Sequence, residues 1–139
     1  MQIKLIVVGK TKNKELNSLI ENYIKRINFF NKFKIIEVNS PKTKKNNASE
    51  IKKIEGENIL KKIEHNDILF LLDEKGKNYD SREFARFLKI KFHENKKIVF
   101  AIGGAFGFSE NLYSKSAGLI IKNDVFSSNN QIIFFRTII

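Results

Sequence analysis

The chain has 139 residues, 42% of them hydrophobic and 13 of them Phe, which suits one folded domain and excludes disorder throughout. Cys is absent and His65 and His93 are the two histidines, which excludes a disulfide framework, a thiolate metal site and a Cys nucleophile. Lys and Arg number 26 against 15 Asp and Glu, a net charge of +11 that favours a polyanionic partner such as nucleic acid. Codon drift explains the charge equally well: Lys, Ile, Asn and Phe, all with A+T-rich codons, fill half of the chain. No metal is expected. No apolar run approaches the ~20 residues of a membrane helix, and the opening Met1-Gln-Ile-Lys lacks a signal-peptide core. The expectation is a soluble, cytoplasmic protein of one domain spanning 1–139, with no membrane contact.

Gln2–Val8 reads as a short apolar strand ended by Gly9. Leu16, Leu19, Ile20, Tyr23, Ile24 and Ile27 recur at helical spacing and predict a helix over about 15–30. Phe33–Val38 is the second strand, and 39–47, with Pro41, is the most loop-like stretch. Ile51, Ile54, Ile59 and Ile63 predict a helix over 48–64. Asp67–Leu72 is a continuous apolar run, as expected of a strand covered on both faces. A helix follows over 81–92, then a buried strand over 97–102 and a short helix over 109–116. This alternation predicts an α/β fold, a doubly wound, mostly parallel sheet with helices on both faces.

Ligands of such sheets bind beyond the carboxyl ends of the strands, and two of those ends are unusual here. One is Leu72-Asp-Glu-Lys-Gly-Lys77, which taken alone reads as a solvated turn. The other is Ala101-Ile-Gly-Gly-Ala-Phe-Gly-Phe-Ser-Glu110, where Gly103, Gly104 and Gly107 let backbone approach a ligand. A tight turn needing positive φ explains the same glycines, Gly103 included. No acid–base pair follows from spacing, and His65 and His93 read as surface residues.

LDEKGK at 72–77, Ser81-x-x-Phe84-Ala85 and FAIGGAFGFSE at 100–110 together resemble one family. So do VVGK at 7–10, Tyr23-x-Lys25-Arg26 and Glu55-Gly56-x-x-Ile59-Leu60. The likeness is to the small SPOUT-class methyltransferases that modify N3 of a pseudouridine in bacterial 23S rRNA, and it runs from residue 1 to about 118. It implies a cytoplasmic homodimer acting on the ribosome, with S-adenosyl-L-methionine as cofactor and a C-terminal trefoil knot. It also implies cofactor contacts at Leu72 and at the glycine turn, Gly103 and Gly104. Catalytic residues stay unassigned.

After Gly118 the chain reads LIIKNDVFSSNNQIIFFRTII and departs from the family pattern, which has a SLSKMT-type cofactor loop and an EQxYRA helix. Back-translation of 119–139 read one nucleotide later permits SLSKMTFSHQIIRLFFFEQLY, so a frame-displaced tail is expected. The alternative function is an inactive, tail-damaged remnant that acts at most as a basic RNA-binding domain.

Overall fold

The computed structural model describes residues 2–9, 14–41, 47–94, 97–104 and 106–122. The elements are β1 (Gln2–Val8), α1 (Lys14–Asn28), β2 (Lys32–Val38), α2 (Ala48–Leu60) and β3 (Ile68–Tyr79). They continue with α3 (Ser81–Glu94), β4 (Lys97–Ile102), α4 (Glu110–Lys115) and β5 (Gly118–Lys122). The strands form one five-stranded sheet in the order β2-β1-β4-β3-β5, and every pairing is parallel. The predicted α/β architecture is the observed one.

Side chains alternate across a strand, and the buried strands use that alternation to feed two cores. Ile3, Leu5, Phe70, Leu72, Ile98 and Phe100 pack with Ile20 and Ile27 of α1 and Phe84 and Leu88 of α3. On the opposite face Ile6, Leu69, Leu71, Val99 and Ala101 pack with Ile59 of α2 and Leu112 of α4. Strands covered on both sides read as unbroken apolar runs, which is why Ile68–Leu72 and Lys97–Ile102 were legible without periodicity. At the start of α3 a capping box forms: Glu83 N–H donates to Asp80 Oδ1 at 2.8 Å, and Asp80 N–H to Glu83 Oε2 at 3.1 Å.

Two boundaries differ from expectation by more than two residues. Helix α2 ends at Leu60 rather than at 64, because the chain tightens there into a turn in which Lys62 N–H donates to the Ile59 carbonyl and Ile63 N–H to that of Leu60. Ile63 still packs on the core, so its apolar spacing outlasted the helix. Strand β3 is the larger correction. It runs through the charged stretch to Tyr79, pairing first with Gly118–Ile120, then shifting register between Leu72 and Lys77 and pairing on to Lys122. LDEKGK is therefore a bulge inside a strand, not a solvated turn at its end. Its partner β5 begins at the chain segment for which no strand was expected. The reading of 119–139 as a displaced tail and the expected knot concern residues that, beyond Lys122, lie outside those described.

Candidate active site at the carboxyl ends of β3 and β4

In the β3–β4 ladder Leu72 stands opposite Ile102, so the bulge after Leu72 and the glycine turn after Ile102 emerge side by side. Leu72 itself is buried, its side chain in the core with α3; what it brings to the strand end is backbone. His65 and His93 are both exposed and take no part in this end.

The glycines have three different reasons. A Cβ on Gly103 would lie 3.1 Å from the Phe108 ring, and one on Gly104 would lie 2.6 and 2.9 Å from the two carboxylate oxygens of Glu55. Neither has positive φ; Gly107 does, at +83°, with open space around it. The expectation that positive φ disfavours a side chain at Gly103 is corrected: its φ is not positive, and a side chain there would instead press on the Phe108 ring. Gly107 N–H donates to the Gly104 carbonyl at 3.2 Å, which closes the turn, and Phe106 at its tip is half exposed.

Helix α2 reaches this turn through two consecutive residues. Glu55 lies against Gly104, and Gly56 lets Ser109 approach so closely that a Cβ there would be 2.7 Å from Ser109 Oγ. Ser109 in turn caps α4, accepting from Leu112 N–H at 3.3 Å. The Glu55-Gly56 pair thus seats both the glycine turn and the start of α4. Glu55 is 4% exposed, and its Oε1 has no hydrogen-bond partner among the described residues.

The bulge contributes a second buried carboxylate. Asp73 is 6% exposed; its Oδ1 accepts from Lys75 N–H at 2.8 Å and its Oδ2 from the Tyr113 hydroxyl. The Lys75 ammonium stands 5.8 Å over the Tyr113 ring. Bulge and α4 are thereby tied together across forty residues of sequence, a link that spacing could not reveal. Both Asp73 oxygens are engaged, so this group braces the bulge.

A groove of about 370 Å³ opens nearby between α2 and α4, lined by Ser49, Lys52, Lys53, Ser109 and Asn111 among others. None of Leu72, Gly103 or Gly104 lines it. Sequence reading also passed over Glu55 as chemistry, although a signal was present. It sits four residues from both Ile51 and Ile59, a carboxylate in the middle of an apolar stripe.

A parallel sheet with a glycine turn and a bulge at adjacent carboxyl ends is an α/β architecture whose ligands, where it has them, bind at such strand ends. The family profile described as "Predicted SPOUT methyltransferase" matches residues 1–122. The chain belongs to the SPOUT methyltransferase family. It is 45% identical over 122 residues to the ribosomal RNA large subunit methyltransferase H of Flavobacterium johnsoniae, covering 86% of this chain and 78% of the relative. It is 42% identical over 137 residues to the protein of the same name from Flavobacterium psychrophilum, covering 97% and 87%. With that of Pediococcus pentosaceus it shares 42% over 125 residues, covering 86% and 79%.

Proposed function

We propose that this protein methylates ribosomal RNA of the large subunit, at N3 of a pseudouridine in 23S rRNA, with S-adenosyl-L-methionine as methyl donor. The observation that carries the reading is the placement of the glycine turn beside the bulge after Leu72, at adjacent carboxyl ends of a parallel sheet in a SPOUT methyltransferase chain. The residues fit a nucleoside donor. In this reading backbone amides and carbonyls at Leu72, Gly103 and Gly104 hold the adenosine rather than side chains, and support comes from a buried carboxylate oxygen beside the turn that has no partner among the described residues. The bound donor supplies an electrophilic methyl group on sulfur. The chain's own part is to hold that group in line with the target nitrogen, and positioning of this kind contributes up to roughly 7–11 kcal/mol.

The excess of lysine supports an rRNA partner. Among the described residues no helix is long and apolar enough to cross a membrane, in keeping with action in the cytoplasm on the ribosome. Action as a homodimer belongs to the same reading. The deciding experiment incubates the protein with large subunits from a strain lacking this modification and methyl-labelled S-adenosylmethionine. Label at N3 of one pseudouridine, located by mass spectrometry of digested 23S rRNA, is the expected result; label elsewhere, or none, sinks the assignment. Affinity for rRNA fragments should fall steeply with salt, because phosphate contacts release counterions. A flat dependence would reduce the +11 to codon drift.

The departure of the sequence after Gly118 favours a second reading, an inactive remnant whose tail is frame-displaced and which at most binds RNA. The family profile ends at Lys122, beside the A-rich codons of Lys122 and Asn123. The gene's codons decide it. CAG for Gln131 is expected; CAA, which cannot yield the family's arginine, together with similar mismatches, excludes a displaced frame.

A further inference from the structure

We propose that Glu55 binds the charged end of the methyl donor, its carboxylate taking the α-ammonium of the methionine portion; the proposal rests on the function given above. Among the described residues Lys4, Glu55 and Asp73 are buried charged residues, and the Asp67 side chain, with one unpartnered oxygen of its own, is fully buried too. Lys4 is ion-paired with Asp67 and Glu64, and both oxygens of Asp73 accept hydrogen bonds. Of these, Glu55 alone both keeps an oxygen with no donor and has no cation within ion-pair distance among the described residues.

Such a group is costly. A buried acceptor without a partner gives up its hydration with nothing in return, and more so when it is charged. Its position between Ile51 and Ile59 on α2 would serve the fold better with an aliphatic residue. Location gives the cost a use, because both carboxylate oxygens lie where a Cβ of Gly104 would be. The group therefore lies at the turn proposed to hold the nucleoside. A cationic donor completes it better than a hydroxyl, since it satisfies the lone pair and compensates the charge at once.

The test measures binding calorimetrically with the full chain and two ligands. One is S-adenosylhomocysteine; the other is 5′-methylthioadenosine, which lacks the amino-acid portion. Glu55→Gln keeps the shape and removes the charge, and should weaken S-adenosylhomocysteine roughly tenfold to a hundredfold while leaving methylthioadenosine unchanged. Equal losses for both ligands, or no loss for either, overturn the proposal. Glu55→Met fills the same space with apolar atoms and should keep or raise the denaturation midpoint. A midpoint lowered by Met and Gln alike would assign the carboxylate to bracing the turn and overturn the ligand role. A wild-type chain that binds neither ligand overturns the methyl-donor reading and this proposal with it. Wild-type binding with an indifferent Glu55→Gln overturns this proposal alone.

Discussion

The two ends of the sheet handle buried charge in opposite ways. At the amino end, the Lys4 ammonium rises from the middle of β1 to meet Asp67 at 3.3 Å and Glu64 at 3.4 Å, and Lys97 reaches the same Glu64 at 3.7 Å. Glu64 N–H donates to Asp67 Oδ2 at 2.8 Å. Asp67 Oδ1 has no hydrogen-bond partner among the described residues, yet its carboxylate already carries an ammonium and an amide on the other oxygen. At the carboxyl end, Glu55 and Asp73 are buried with no ion pair among the described residues. The amino-end carboxylates are held by ammonium groups, whereas at the carboxyl end Asp73 is satisfied by neutral donors and Glu55 Oε1 has no donor among the described residues. The difference separates a structural end from the end proposed to bind the methyl donor.

Breaking the structural end should have the largest effect on stability. Lys4→Met leaves the Asp67 side chain, fully buried, without its ammonium, at a cost of about 3–5 kcal/mol. Chemical denaturation would show it, and adding Asp67→Leu should recover most of the loss. S-adenosylhomocysteine affinity of the folded fraction should not change. If affinity fell while stability held, the division between the ends would be wrong.

Gly103→Val tests the binding end. Its branched side chain would enter space held by the Phe108 ring at 3.1 Å and the Gly107 carbonyl at 3.4 Å. Overpacking should cost about 1–3 kcal/mol, and calorimetry should show lost S-adenosylhomocysteine affinity as well. Unchanged affinity would remove this glycine from the site. Gly107→Ala should do least. A Cβ there meets nothing within 4 Å, so only the left-handed backbone is strained, about 1 kcal/mol. A loss much larger than that in thermal unfolding would mean the turn is more tightly packed than its geometry allows.

The central strands β1 and β4 and the first half of β3 were readable because they are buried on both faces and so announce themselves as apolar runs. Helices α1 and α3 were readable from one apolar stripe each. Strand β5 was not, because it is an edge strand whose pairing with β3 depends on a bulge, and bulges leave no mark in hydropathy. The charged residues 73–77 looked like loop for the same reason. At the candidate site, the glycine turn was legible from Gly103, Gly104 and Gly107, but the cause at each was not. Only tertiary structure places the Phe108 ring and the Glu55 carboxylate where their Cβ atoms would be. The tie between Asp73 and Tyr113 was likewise hidden, since a contact across forty residues has no periodicity to betray it.

The strand order has a consequence for the order of assembly. β1 lies between β2 and β4, so the first strand made can pair with β2 early, through α1, but its other edge stays open until Lys97–Ile102 is synthesised. For most of translation the Ile3–Val7 edge is a bare template for other chains. Pairings this distant in sequence are slow to form. Ribosome-stalled chains that stop before Lys97 should be protease-sensitive, and chains that run past β4 should be protected. Early protection would mean that β1 and β2 fold with α1 as an independent unit. By this order the glycine turn, which follows β4 directly, takes shape only as the centre of the sheet closes.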